Sequence, residues 1–163
     1  SSLYNHIDNR EHIIELIRAR VFAEKLQVPV QDLPWDEALR AVVRAYRKCI
    51  AAHPRLVQLI LTQTVQDPGA LAAYETMAMA LEQAGLPPQR IVSALSLIDN
   101  LVLGSAMELN APAVVWDPPA GQFPALERAL EAPYTVEGRA EAAFELGLDV
   151  LIEGLRAQDF TQT

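Results

Sequence analysis

Apolar residues recur every three to four positions along most of the chain, which is the spacing of amphipathic α-helices. About seven segments follow this period: 9–27, 35–50, 54–65, 70–84, 87–109, 123–130 and 138–157. No stretch alternates apolar and polar residues for long enough to predict a β-strand. The pattern therefore predicts an all-α fold of about seven helices.

Several boundaries of these helices are marked by residues with strong local preferences. Asn9 is a favourable N-cap residue, and Gly85 is the residue type that most often follows a helix C-terminus. Asp67-Pro68-Gly69 predicts a turn that opens the next helix. A loop is predicted over 111–124 because prolines and a glycine interrupt it: Pro112, Pro118, Pro119 and Gly121.

Composition indicates a soluble domain with a real hydrophobic core, since 51% of the 163 residues are hydrophobic and 21% are charged. The net charge of -8 argues against this chain holding nucleic acid unaided. Cys49 is the single cysteine, so an internal disulfide is excluded and a reducing, cytoplasmic location is favoured. The most apolar stretch carries Asp99 and Glu108, which argues against a membrane span.

Catalytic motifs are missing from the sequence. None of His6, His12 and His53 follows a glutamate at Glu-x-x-His spacing, which excludes a ferritin-like dimetal site. There is no phosphate-binding glycine loop and no Gly-x-Ser-x-Gly elbow. The sequence predicts no catalytic residue, no metal and no cofactor.

The N-terminal run carries several uncommon residue types in a recognisable order: Leu3, Tyr4, His6, Ile7, Asn9, Arg10, Glu11, Ile13 and Ile14. This run resembles the end of the recognition helix and the start of the next helix in TetR-family (tetracycline-repressor-like) transcriptional regulators. The resemblance implies that Tyr4, His6 and Arg10 contact the phosphates of operator DNA, a role that their hydrogen-bond donors suit. The alternative is that Tyr4 and His6 cap and pack a helix end.

A second resemblance begins at the segment 35–40 and continues through 44–47 and 53–54. These residues are similar to the start of the all-α C-terminal domain of the tetracycline-repressor branch. The resemblance implies three parts: a remnant of the helix-turn-helix domain at 1–8, a connecting helix at 9–27, and a ligand-binding and dimerisation domain at 35–158. We expect the base-reading residues to lie upstream of Ser1, so that residues 1–163 alone do not bind operator DNA.

Family members form homodimers through their last two long helices, which implies an interface here. A glycine inside a helix costs about 1 kcal/mol relative to alanine, so glycines in these helices should have a packing reason. The candidate interface residues are Gly104, Ala143, Gly147, Leu151, Gly154 and Leu155. Contact within one subunit is the alternative explanation for them.

The resemblance also implies a pocket for an apolar or amphipathic small molecule. Polar or adaptable side chains on or beside apolar faces are the candidate lining residues, with Trp116 as a lid: Tyr46, Gln63, Gln66, Met77, Asp99, Asn100 and Trp116. For each of them, core packing or helix capping is the alternative. His53 falls near a magnesium-binding histidine of tetracycline repressors, but Pro54 departs from that pattern and no metal is predicted.

A basic stripe on the second predicted helix, formed by Arg40, Arg44, Arg47 and Lys48, is compatible with an anionic ligand or DNA, but its spacing is more typical of a solvated face. Together the observations predict a cytoplasmic, ligand-responsive repressor that binds operator DNA as a homodimer. The alternative is a helical-bundle interaction or small-molecule-binding protein with no role on DNA.

Overall fold

A computed structural model describes residues 28–53, 64–133 and 135–157 of the chain. They form five α-helices: α1 (Trp35–Ala51), α2 (Pro68–Gln83), α3 (Pro88–Glu108), α4 (Pro124–Leu130) and α5 (Val136–Ala157). No β-strand occurs in these ranges, and the prediction of an all-α fold is confirmed. The helix predicted at 9–27 and most of the helix predicted at 54–65 lie outside the described residues. Thr64 and Val65, at the expected end of the latter, are not helical, so that boundary was wrong.

Local capping explains why two helices begin earlier than the apolar period indicates. The Asp67 carboxylate accepts a hydrogen bond from the Ala70 N–H at 2.8 Å, so α2 starts directly after Asp67. In the same way the Thr135 hydroxyl accepts a hydrogen bond from the Gly138 N–H at 2.9 Å, and α5 starts directly after Thr135. A capping residue satisfies backbone donors that the first helical turn leaves without partners.

α2 ends at Gln83 with Ala84 as its C-cap, and Gly85 closes it as the sequence predicts. Gly85 has a φ of 89°, in the left-handed region that glycine adopts without a steric penalty. The Leu86 N–H then donates to the Leu81 carbonyl at 3.0 Å, across the end of the helix. This closure turns the chain into the short connection that leads to α3.

The hydrophobic core lies between α1, α2, α3 and α5, whereas α4 contributes no buried residue. α1 packs against α2 and α3, and α5 packs along α3. Large side chains that are fully buried come from all four core helices: Leu39, Val42, Val43, Ile50, Met77, Leu81, Ile98, Phe144, Leu148 and Ile152. Each stabilises the fold by about 1.5–3 kcal/mol through its removal from water.

Ion pairs join α1 to α5 along the surface of the protein. Four pairs run antiparallel along the two helices: Asp36–Arg156, Arg40–Asp149, Arg44–Glu145 and Arg47–Glu141. We call this set the ion-pair row. Three arginines of the basic stripe therefore face acids of α5, while Lys48 is exposed as a solvated face requires.

Arg47 is the most enclosed cation of the row, with a side chain that is 11% exposed. Its Nη1 lies 2.5 Å from Glu141 Oε2, and its Nε donates to Ser105 Oγ of α3 at 3.2 Å. Its guanidinium carbon lies 4.9 Å from the ring centroid of Phe144. Arg47 thus connects three helices at the edge of the core.

We expect Arg44 and Glu145 to stabilise each other by about 0.5–1 kcal/mol, because they form a two-point pair at a partly exposed site. Arg44 Nε lies 2.9 Å from Glu145 Oε1, and Nη2 lies 2.6 Å from Oε2. A double-mutant cycle with Arg44→Ala and Glu145→Ala, followed by urea unfolding at low and high salt, measures this coupling energy. Combining Arg44→Ala with Glu137→Ala should be additive. Equal coupling energies in the two cycles would contradict the prediction.

α3 and α5 approach closely at Gly147, where an added Cβ atom would lie 2.5 Å from Leu101 Cδ1. The packing reason expected for this glycine is therefore found between two helices of one subunit. At Gly104 and Gly154, by contrast, an added Cβ would meet nothing within 4 Å.

Gly147→Leu should lower the free energy of unfolding by about 1–3 kcal/mol, since the larger side chain would force α3 and α5 apart. Chemical denaturation of the two proteins measures the loss. Ala157→Leu adds apolar bulk at an exposed position of α5 and should have little effect. Equal stabilities of the Gly147→Leu variant and the unchanged protein would show that Leu101 can move aside without cost.

Candidate functional site

Three polar side chains from α1, α2 and α3 meet inside the helical body. The Tyr74 hydroxyl of α2 donates to Asp99 Oδ1 of α3 at 2.8 Å, and it lies 3.4 Å from the Tyr46 hydroxyl of α1. The two tyrosine rings meet edge to face, with centroids 6.2 Å apart and an interplanar angle of 65°. We call these residues the Tyr46–Tyr74–Asp99 cluster.

The environment of the cluster changes the proton affinities of its members. Burial raises the pKa of the Asp99 carboxyl, and hydrogen bonds from Tyr74 and Tyr46 offset part of this rise. Burial also raises the pKa of Tyr46 far above its ordinary value, and the neighbouring Tyr74 and Asp99 add to the shift. Tyr46 therefore stays a neutral donor at physiological pH. A carboxyl group held in such surroundings is a candidate functional group.

We expect Asp99→Asn to raise the free energy of unfolding at neutral pH. The folded-state pKa of Asp99 is raised, so between the unfolded-state and folded-state pKa values the folded protein binds more protons than the unfolded chain. The free energy of unfolding therefore falls as pH increases through this interval. The amide avoids this cost, so the difference between the two proteins should vanish below about pH 4, where the carboxyl is protonated in both states. Urea unfolding of both proteins across a pH series measures this difference in the free energy of unfolding. A constant difference at every pH would contradict the prediction.

The structure brings together two of the predicted pocket residues, Tyr46 and Asp99, and joins them through Tyr74, which the sequence analysis missed. Met77 lies one turn beyond Tyr74 on α2 and is 1% exposed, so it belongs to the packed core. Gln66 and Asn100 are exposed, and Gln63 lies outside the described residues. The sequence did carry an indication of Tyr74: it lies three residues before Met77, so the two residues share one face of the helix.

Trp116 lies in a different part of the molecule, 47% exposed, in the loop that precedes α4. It borders a groove of about 910 Å³ between this loop, α4 and the first half of α5, and neither Tyr46 nor Asp99 lines that groove. The Arg139 guanidinium carbon lies 5.7 Å from the centre of the Trp116 ring, while Arg139 Nε donates to Glu108 Oε1 at 2.8 Å. Trp116 therefore borders α5 and does not cover the cluster.

A second groove, of about 530 Å³, runs between α3 and the second half of α5. Leu97 and Val150 line it and are 53% and 64% exposed, and Leu146 in the first groove is 65% exposed. We call the surface formed by these three residues and Gly154 the α3–α5 face. Exposed apolar surface of this kind is typical of protein interfaces.

The other predicted interface residues differ in their exposure. Ala143 and Gly104 are exposed, Leu151 is half-buried beside the second groove, and Leu155 is 8% exposed and belongs to the core of the subunit. α3 is also the one described helix long and apolar enough to cross a membrane by length and composition. Core packing on one side and the α3–α5 face on the other account for its apolar character.

The family model described as the tetracyclin repressor-like C-terminal domain matches residues 29–158 and so covers all five helices. The chain belongs to the TetR family. This confirms the family that the residue patterns at 3–14 and 35–54 indicate. Tyr4, His6 and Arg10, the predicted DNA contacts of the family pattern, lie outside the described residues.

Curated relatives of this TetR-family chain are named as regulators of transcription. An HTH-type transcriptional regulator of Saccharopolyspora erythraea is 29% identical over 96% of this chain and 70% of its own length. The HTH-type transcriptional repressor DrrR1 of Streptomyces coeruleorubidus is 27% identical over 64% of this chain and 39% of its own length. These names support the prediction of a transcriptional regulator of the TetR type.

Solved TetR-family structures share the fold. The Streptomyces coelicolor protein ActR in complex with actinorhodin superposes with a TM-score of 0.75 at 25% identity, covering 96% of this chain and 82% of ActR. Apo ActR gives a TM-score of 0.72 at 24% identity. Within the described residues of the present chain, no group of three His, Cys, Asp or Glu side chains could hold a metal ion.

Proposed function

We propose that this chain is the effector-binding and dimerisation part of a ligand-responsive repressor. Two copies pair through the α3–α5 face, and each helical body binds an apolar or amphipathic small molecule beside the Tyr46–Tyr74–Asp99 cluster. Ligand binding then changes the affinity for operator DNA, which is contacted by Tyr4, His6 and Arg10 together with residues upstream of Ser1.

The observation that carries this proposal is the polar cluster among otherwise apolar helices. Tyr74 and Asp99 are half-buried, and together with Tyr46 the cluster brings hydrogen-bonding atoms from three different helices. A few oriented polar groups within apolar walls are typical of small-molecule sites. That ActR was solved with actinorhodin supports a ligand-binding role for this fold.

Pairing through the α3–α5 face is supported by its exposed apolar side chains, by its Gly154, and by Gly104 elsewhere on α3. Leu97, Leu146 and Val150 expose more than half of their surface, which is unfavourable in a lone subunit. Gly104 and Gly154 face open space, so the helices of a second copy could approach closely there. The corresponding pairing of long helices is what the resemblance to the family implies.

Regulation requires that the ligand bind one state of the dimer more tightly than the other. A ligand that prefers the state with low affinity for DNA reduces operator binding by the ratio of its two affinities. α1 carries Tyr46 of the cluster, and the ion-pair row connects the same helix to α5. A displacement of α1 would thus be transmitted to the dimerisation helix.

Selection of genomic DNA fragments by the purified full-length gene product tests the proposal. We expect enrichment of a discrete sequence with two-fold symmetry, while residues 1–163 alone enrich none, because the base-reading residues lie upstream in this proposal. Failure of the full-length product to enrich any specific sequence would contradict it and would favour a helical-bundle interaction protein. Specific DNA binding by residues 1–163 alone would disprove the proposed location of the base-reading residues.

A further inference from the structure

Asp99 is a half-buried acid that lacks a cationic neighbour in the described part of the chain. No described arginine, lysine or histidine nitrogen lies within 4.0 Å of its carboxylate, whereas the acids of the ion-pair row each face an arginine. The Tyr74 hydroxyl donates to Asp99 Oδ1 at 2.8 Å, and the Tyr46 hydroxyl is a second neutral partner of this carboxylate. Its negative charge is therefore stabilised by phenol dipoles within these ranges and not by an ion pair.

The side chains next to Asp99 are largely apolar and remain partly exposed while they pack against the core. Leu95 lies one helical turn before Asp99 on α3 and is half-buried. On α2, Tyr74 and Ala78 are likewise one turn apart and half-buried. Because residues four apart share one helix face, Leu95 lies beside the carboxylate on α3, and Ala78 lies beside Tyr74 on α2. Fully buried neighbours such as Met77 offer no comparable surface.

The carboxylate of the cluster can accept hydrogen bonds from a ligand that carries donor groups. An ionised carboxylate accepts at two oxygens with about four lone-pair directions, and Tyr74 and Tyr46 occupy a part of that capacity. A ligand ammonium would supply both the donors and the positive charge. A ligand carboxylate would instead place two like charges together away from bulk water, where their repulsion is stronger than at the surface.

We infer that the effector is an amphipathic molecule with a protonated amine, whose ammonium group binds Asp99 and whose apolar body lies against Tyr74, Ala78 and Leu95. The inference rests on the proposed function, since it concerns the ligand of that same site. Tyr74 orients the carboxylate, and Asp99 determines the selectivity for charge. Neutral and anionic molecules of the same shape bind more weakly.

Three naphthalene compounds that differ in their polar group test this inference: naphthylmethylamine, naphthylmethanol and naphthoate. Calorimetric titration of residues 1–163 should give the tightest binding for the amine, by about 10- to 100-fold over the alcohol, and the weakest for naphthoate. Asp99→Asn should remove the advantage of the amine and leave the affinity for the alcohol nearly unchanged. Asp117→Asn, which removes an exposed acid, should leave the order of the three compounds as it is.

The outcomes separate this inference from the function on which it rests. Equal affinities for the amine and the alcohol, with both binding, would overturn the amine selectivity and leave an interior ligand site intact. An amine preference that survives Asp99→Asn would show that another group recognises the cation. If none of the three compounds bound, both the selectivity and the interior site would be contradicted.

Discussion

Replacing Val150 by aspartate is expected to convert the proposed dimer into a monomer. Val150 is 64% exposed in the groove between α3 and α5, beside Leu97, and the proposed pairing would bury it against a second copy. An aspartate there would place an unpaired charge in each half of the interface, at a cost of several kcal/mol. The dissociation constant of the dimer should rise by at least about 100-fold.

Light scattering on residues 1–163 over a range of concentrations measures this change directly. Met79→Asp is the matched control, because Met79 is 51% exposed on α2, outside the α3–α5 face. The control should remain dimeric, and circular dichroism should show that both variants keep their helices. A Val150→Asp variant that stays dimeric at the lowest concentrations would exclude this face as the interface.

The consequence for DNA binding follows from the symmetry of the assembly. A dimer places two DNA-binding heads on two half-sites, so each head contributes to a single binding event. Full-length Val150→Asp protein should therefore lose specific operator binding even though its heads are unchanged. Normal operator affinity in a verified monomer would contradict the proposed role of the dimer.

The fold class could be predicted from the sequence because helical periodicity is a local property. The left-handed turn at Gly85 and the proline-rich loop over 111–124 were equally predictable, since both depend on the conformational limits of single residues. Helix starts were less certain, because the Asp67 and Thr135 caps lie outside the apolar period. The described helices thus follow the predicted order, and α2 and α5 begin two residues earlier than the apolar period indicates.

Contacts between helices could not be predicted in the same way. The acids of α5 that face Arg40, Arg44 and Arg47 are spaced four residues apart, which is common on any solvated helix. Their pairing depends on how α1 and α5 lie relative to each other. Gly147 shows the same limit: its need for a close neighbour was predictable, but Leu101 as that neighbour was not.

The candidate site could be predicted from the sequence only in part. Tyr46 and Asp99 stand out as polar groups beside apolar faces, and the structure joins them through Tyr74. Tyr74 was missed because α2 is apolar on most sides and shows no strong polar face. Asn100 satisfied the same criterion but is exposed, since periodicity does not give the rotation of a helix relative to its neighbours. Gln66 is exposed because it lies in the connection before α2 and not on a helix.

Phe144→Ala is expected to lower the free energy of unfolding by about 3–5 kcal/mol, a large part of the 5–15 kcal/mol typical of a domain. Phe144 is 1% exposed and lies between the core and the Arg47 guanidinium. Its loss would open a cavity and also remove the ring that supports Arg47. Because Arg47 binds both Glu141 and Ser105, α1, α3 and α5 would all lose contacts.

Urea denaturation of the purified variants measures this loss. Phe123→Ala is the matched control, since it makes the same substitution at a residue that is 51% exposed and should change stability by less than about 0.5 kcal/mol. Phe144→Leu keeps most of the buried volume and should fall between these two variants. If Phe144→Ala were no less stable than Phe123→Ala, the centre of the core would lie elsewhere, and Arg47 would not depend on the ring beneath it.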